Sequence, residues 1–263
     1  MTLRSNFLQN PAFHFENNIF YQRDFQRLND FETLYLSLRE QEKRVYTDEV
    51  VKKLPEISAE HPLNHEWQAR NFSSQNLLRY FTGKKDSAKI LELGCGNGWL
   101  SHKLATLPDS EVIGIDINEQ ELLQASRIFG AKKNIFFAYA DINTAEIKYS
   151  HFDYIILSAS LQYFGDLVPL FTKLFILLAK NGEIHILDTP IYQPWDVHAA
   201  EERSEKYFTD TGFPFMSRHY HHHTWEILKR FPLKVQYNPD LLFNRIKRTF
   251  SIASPFPWII IVV

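Results

Sequence analysis

Glu92-Leu-Gly-Cys-Gly-Asn-Gly-Trp99 sets three glycines at alternate positions between an acid and a tryptophan, with the chain's only cysteine between the first two. Lys89-Ile90-Leu91-Glu92-Leu93 reads as a short buried strand, and Leu100, Leu104 and Leu107 fall on one face of a following helix. A glycine loop in that context lets a ligand approach the backbone closely. Its spacing decides which ligand. A dinucleotide fingerprint GxGxxG would put its last glycine at position 99, where Trp99 stands; here the third glycine is Gly98. A carboxylate at Glu92 is poor company for a phosphate at a helix N-terminus and suits a ligand that carries positive charge.

Outward from the loop, strands and helices alternate. Val112 to Asp116, Ile135 to Ala140, Tyr154 to Leu157 and Glu183 to Leu187 read as strands, with Leu233 to Tyr237 and Trp258 to Val263 as two more. Asn118 is placed to cap a helix carrying Leu122, Leu123, Ala125 and Ile128, and Leu167 to Ala179 reads as a helix stopped by Asn181-Gly182. A helix carrying Trp67, Phe72, Leu77, Leu78 and Phe81 precedes the first strand and ends at Gly83. The expected fold class is α/β: a doubly wound, mostly parallel seven-stranded sheet with helices on both faces and an N-terminal extension. The last two strands lack a full crossover helix, although Leu241 to Phe250 could supply a short one, and are expected as a reversed pair at the sheet edge. Residues 1–64 contain no glycine and hold Pro55 and Pro62 near their end. They are read as a mostly helical or irregular extension packed on a main domain of residues 65–263.

The 263 residues are 44% hydrophobic and 23% charged, ordinary for a soluble globular chain. Lys and Arg number 29 against 31 Asp and Glu, so no excess positive field recruits nucleic acid. The basic cluster Arg245, Lys247 and Arg248 reads as a solvated helix face. One cysteine makes neither an internal disulfide nor a CxxC metal site, and points to a reducing, cytoplasmic setting. The N-terminus shows no apolar leader core, and the longest apolar runs are too short to cross a bilayer, so no membrane association is expected.

The loop together with the acids that close the next two strands, Asp116 in GIDIN and Asp141 in YADIN, resembles the class I S-adenosylmethionine-dependent methyltransferases over about residues 66–190. The resemblance implies S-adenosyl-L-methionine as cofactor, which bears a sulfonium and an ammonium and no phosphate. It implies that Asp116 holds both ribose hydroxyls and that Ile117 packs on the adenine. Asp141 is implied near the adenine amino group, with the Ile142 amide near a ring nitrogen, and Ser158 beside the transferred methyl. Glu92, Gly94, Cys95, Gly96, Asn97 and Gly98 form the loop against the cofactor. Trp67 and Arg70 could lid it, Arg70 meeting its carboxylate. Stretches such as EWQAR and GFPFMSRHYHHH further resemble a bacterial group of methyltransferase-domain proteins.

Cys95 reads as a space-saving residue rather than a nucleophile, since methyl transfer needs none. Gln162, Tyr163, Asp188, Thr189 and Tyr192 follow the fourth and fifth strands and are candidates for acceptor contact on topology. His219, His221, His222 and His223 are candidates for a general base, as is Tyr163, should the acceptor have to lose a proton. No metal is expected there, because adjacent histidines on extended chain face opposite ways and no acid or cysteine partner is near. The leading expectation is in-line methyl transfer to a small-molecule or glycan-precursor acceptor. A nucleic-acid methyltransferase is disfavoured, since Ser158-Ala-Ser-Leu161 stands where a [D/N]-P-P-[Y/F] run would be. A catalytically silent partner subunit and a nicotinamide dehydrogenase are the other rivals, the latter disfavoured by Trp99 and Glu92.

Overall fold

The computed structural model describes residue 8 and residues 12–25, 29–84, 87–245 and 253–262. Lys247 and Arg248 of the basic cluster, and the C-terminal half of the expected short helix 241–250, lie outside the described residues. In chain order the elements are β1 (Phe13–Glu16), β2 (Ile19–Gln22), α1 (Asn29–Gln41), α2 (Asp48–Val51), α3 (Asn64–Thr82), β3 (Lys89–Leu93), α4 (Trp99–Leu104) and β4 (Glu111–Asp116). They continue as α5 (Glu119–Phe129), β5 (Ile135–Tyr139), β6 (Phe152–Ser158), α6 (Leu167–Leu177), β7 (Leu178–Leu187), α7 (Val197–Asp210), α8 (Trp225–Leu228), β8 (Leu233–Tyr237) and β9 (Trp258–Val262). Single 3₁₀ segments cover Leu161–Tyr163 and Pro214–His219.

All strands join one sheet in the order β1-β2-β5-β4-β3-β6-β7-β9-β8. From β2 to β7 neighbours run parallel, while β9 runs antiparallel to both β7 and β8, the reversed pair expected at that edge. Strand order reverses at β3, which lies between β4 and β6, so the switch point faces the glycine loop. Each central strand is buried on both faces, because successive side chains feed different layers. Leu91 and Leu93 pack with Phe171 and Leu174 of α6, while Ile90 joins Leu77 of α3, Leu100 of α4 and Leu122 of α5. Asn118 caps α5 by accepting from the Glu121 amide, and Asp166 caps α6 by accepting from the Val168 amide.

Two features correct the sequence reading. The sheet has nine strands rather than seven, because the N-terminal segment adds the hairpin β1-β2. Asn17 and Asn18 both sit at positive φ, +48° and +62°, in a two-residue turn, the type I′ geometry that matches strand twist. β2 then lies parallel on β5, with Phe20 opposite Ala138. The second correction is the end of α6. It stops at Leu177, not Ala179, since Leu178 is claimed by the ladder opposite Phe152, and the positive φ of Asn181 sits in the register shift that follows. No helix among the described residues is long and apolar enough to cross a membrane.

Ile19 on β2 is fully buried in the same core cluster as Leu122 of α5. Ile19→Ala is expected to lower unfolding free energy by about 2–5 kcal/mol, as for other buried aliphatic truncations. Urea denaturation should show this as one shifted transition. An unshifted midpoint would mean that the hairpin is not part of the cooperative unit.

Candidate active site

The carboxyl ends of β3, β4, β5 and β6 open into a cavity of about 310 Å³. Its floor is the glycine loop. Gly94 has φ +76°, and a Cβ there would fall 2.5 Å from Ser160 Cβ. Gly98 has φ +74°, and a Cβ there would fall 2.8 Å from the Phe137 ring and 2.9 Å from Ala125 Cβ. These two positions exclude any side chain on conformation and on space together. The Gly94 amide donates to the Ile115 carbonyl at 2.8 Å, folding the loop back over β4.

Asp116, at the end of β4, accepts from the Gly96 amide at 2.7 Å through Oδ2 and from the Asn118 amide at 2.9 Å through Oδ1. The loop amide is thus spent on a carboxylate and does not invite a phosphate. Burial raises the Asp116 pKa, with the Gly96 and Asn118 amides opposing. Glu121, in the first turn of α5, is pushed up to about 7 by burial and by Asp116. Glu92 is pushed up to about 8 by burial, with Asp116 adding and a hydrogen bond from Ser101 opposing. Burial thus works against the carboxylate that the sequence reading sets at the loop entrance. Cys95 is buried, and burial followed by Asp116 and Glu92 raises its thiol well above the ordinary value. Its Sγ fills the space that a Cβ at Gly114 would need, 2.7 Å away. The thiol is packing.

Of the residues expected around a cofactor, Trp67, Arg70, Glu92, Gly94, Cys95, Gly96, Asn97, Asp116, Ile117, Asp141, Ile142 and Ser158 line this cavity. Gly98 does not line it; it lies beneath, packed on Phe137. Trp67 donates through Nε1 to Tyr46 OH at 2.8 Å and meets Trp99 edge-on at 5.4 Å. The Arg70 guanidinium lies 5.1 Å from the Trp67 ring and donates to Glu66 at 2.8 Å. Asp141 accepts from the Asn143 amide, and its own amide donates to Gln22 of β2.

A second, larger cavity of about 1070 Å³ adjoins the first. Arg39, Arg44, Glu66, Arg70, Ala159 and Tyr163 line both. Gln162, Tyr163, Asp188 and Tyr192, four of the five candidates for acceptor contact, line the second. Asp188 sits at φ +52° and accepts from Ser73 at 2.6 Å, Ser158 at 3.1 Å and Ser254 at 3.4 Å. Three hydroxyls from separate elements thus hold it, and burial raises its pKa. Thr189 is not on either wall; it is buried beneath and donates to Gln162 Oε1.

The histidine run lies behind the walls. His219, His221, His222 and His223 line neither cavity. The His221 amide donates to the Gln162 carbonyl, and Thr224 bridges Tyr192, so this chain is fixed and its side chains turn into neighbouring packing. His223 Nε2 meets the Leu161 carbonyl at 3.1 Å, His222 Nε2 meets Ser204 at 2.8 Å, and His221 lies under Gly165. His219 packs on Phe31 at 4.8 Å. Burial lowers the pKa of His221, His222 and His223. Tyr220, between them, reaches the second cavity instead. Among the described residues no group of three or more His, Cys, Asp or Glu could hold a metal ion.

Sequence reasoning missed Phe31, Glu32, Tyr35, Arg39, Arg44, Tyr46 and Glu121, all of which line the first cavity. The signal existed. Phe31, Tyr35 and Arg39 recur every four residues and share one face of α1, and Glu121 is the third residue after the Asn118 cap.

The folded-state pKa of Glu92, about 8, lies above its ordinary 4.5. Folded Glu92 keeps its proton where the unfolded chain gives it up. Its contribution to stability is complete below pH 4.5 and is lost as pH rises toward 8. Glu92→Gln should remove that loss, at most about 1.4 kcal/mol per pH unit. Melting curves from pH 5 to 9 should show the mutant's advantage growing with pH, and parallel curves would refute the assignment.

Comparison with known proteins accords with this geometry. Residues 84–232, more than half of the chain, match a family model described as a methyltransferase domain. Malonyl-[acyl-carrier protein] O-methyltransferase 1 of Ilyobacter polytropus is 32% identical over 120 residues, covering 44% of each chain. The malonyl-[acyl-carrier protein] O-methyltransferase of Bacillus cereus is 30% identical over 150 residues, covering 54% of this chain and 55% of that one. The chain spans about half the length of these curated relatives. Among solved structures, phosphoethanolamine N-methyltransferase 2 of Haemonchus contortus superposes with a TM-score of 0.57 at 17% identity. That match covers 84% of this chain and 50% of the other, and it is a likeness of fold.

Proposed function

We propose, for a chain that belongs to the methyltransferase-domain family, that it transfers the methyl group of S-adenosylmethionine to a small acceptor held in the second cavity. One observation carries the reading. Two cavities meet at the switch point of the sheet, one floored by the glycine loop and rimmed by strand-end acids, the other sharing three arginines with it. The residues present suit this cofactor. Asp116 would hold the ribose hydroxyls with its remaining lone pairs, Ile117 and Ile142 would flank the base, and Arg70 would meet the amino-acid end. The bound cofactor supplies a methyl group on a sulfonium, a good leaving group. The protein's work is then orientation and the exclusion of water. Trp67 and Trp99, both buried, close the cavity beside Arg70.

The finer reading is O-methylation of a carboxylate on an acyl thioester. The names of the bacterial relatives support it. So does the place of the four histidines, which stand behind the cavity walls rather than in them. A carboxylate is already deprotonated near neutrality and needs no base, whereas a hydroxyl acceptor would need one.

Isothermal titration with S-adenosylhomocysteine tests the cofactor site. Asp116→Ala is expected to weaken binding by roughly 10- to 100-fold, the worth of hydrogen bonds to a charged group. Unchanged affinity would remove Asp116 from the site. Incubation of the protein with labelled S-adenosylmethionine and malonyl-pantetheine should yield a labelled methyl ester by mass spectrometry, and its absence would reject the acyl carboxylate.

A further inference from the structure

We propose that Arg39, on α1, anchors the acceptor's carboxylate where the two cavities meet. Acceptor recognition would then be carried by the N-terminal segment, outside the family-matched residues 84–232. The proposal rests on the carboxylate reading above. It begins with how three arginines that line both cavities, Arg39, Arg44 and Arg70, are paired with the nearby acids Glu42 and Glu66.

The acids are already engaged. Glu66 accepts from Arg44 at 2.6 Å and from Arg70 at 2.8 Å. Glu42 lies 2.9 Å from Arg44 Nε and also accepts from Tyr207 OH. Arg39 receives the remainder. It reaches Glu42 at 3.3 Å through Nη1 and Tyr163 OH at 3.3 Å through Nη2. A guanidinium carries five N–H donors and is always charged. What sets Arg39 apart is the length of its pairing: its carboxylate contact is 3.3 Å, against 2.6 and 2.9 Å for Arg44 and 2.8 Å for Arg70.

Its surroundings make that loose pairing matter. The Arg39 side chain is 22% exposed, which leaves it reachable from the cavities yet largely out of water. Its guanidinium lies 4.8 Å from the Tyr35 ring, and Tyr163 beside it packs edge-on to Tyr35 at 5.8 Å and to Tyr220 at 6.0 Å. A loosely paired charge between aromatic walls gains more from an anion than it would in water. A carboxylate matches the fork of the guanidinium. The anchor is also preset, because the neighbouring Leu38 is buried with Phe208 of α7 and Met216.

The chemistry balances without a proton transfer. One oxygen of the anchored carboxylate forms the new O–C bond while the C–S bond breaks with its electron pair to sulfur. An anion and a cation become a neutral ester and a neutral thioether. The ester no longer offers Arg39 a charge, so the product is held more weakly than the substrate.

The test uses the full chain loaded with S-adenosylhomocysteine, titrated with malonyl-pantetheine and with acetyl-pantetheine, which lacks the carboxylate. The wild type should bind malonyl-pantetheine more tightly. Arg39→Gln should weaken malonyl-pantetheine by roughly 10- to 100-fold and leave acetyl-pantetheine unchanged. Affinity for S-adenosylhomocysteine should stay within about threefold. Arg39→Lys, which keeps the charge and loses the fork, should fall between and serves if the Gln variant does not fold. Equal binding of the two thioesters by the wild type, or binding of neither, overturns the proposal. So does an Arg39→Gln loss that falls on S-adenosylhomocysteine instead, which would make Arg39 a partner of the cofactor. Failure of the cofactor reading itself shows separately, in the Asp116→Ala titration.

Discussion

Everything at the site depends on how the loop after β3 closes over β4. The Gly94 amide reaches the Ile115 carbonyl, and two residues later the Gly96 amide reaches the Asp116 carboxylate. These two bonds lock the end of one strand to the end of its neighbour. They also set Asp116 at a fixed height above the sheet. The geometry tolerates no side chain at Gly94, where Ser160 lies, or at Gly98, where Phe137 and Ala125 lie. Ser160 is itself bound to the Leu93 carbonyl at 2.7 Å, so β6 is tied to the same closure. Three strands therefore present their ends as one rigid rim.

The rim alone leaves the cavity open on one side. Elements before β3 close it. Glu32 of α1 accepts from the Glu119 amide at 2.6 Å, and Asp48 of α2 takes both arms of Arg127 on α5 at 2.7 Å. Gln22 of β2 meets the Asp141 amide at 3.2 Å. Aromatic residues of α1 then face Tyr163 across the junction. The family-matched core and this N-terminal wrapping are physically one enclosure.

What could be read in advance follows from which forces act locally. Asp116, Asp141 and Ser158 were legible because strand ends in a doubly wound sheet share one mouth. Gly94 and Gly98 were legible because only glycine fits a reversed backbone. The hairpin at Asn17-Asn18 carried a turn signal that four-residue strands made easy to overlook. The histidine run was not legible. Its side-chain directions depend on which carbonyl the His221 amide finds, and that partner, Gln162, lies 59 residues earlier in the chain (221 − 162). Glu92 is the subtler case. Its identity was plain, but its protonation depends on burial among groups that only the fold assembles.

The parallel pairing of β2 with β5 bears on the order in which the molecule is made. Phe20 lies opposite Ala138, 118 positions further along the chain (138 − 20). Leu38 of α1 packs on Phe208 and Met216, later still. A ribosome delivers residues 13–41 before residues 138–216, so their seats do not exist until those later residues have emerged. Contacts this distant in sequence close slowly. The segment that walls both cavities is thus synthesised before the surfaces it docks on, and a chain that lacks those surfaces holds an open rim rather than a completed site.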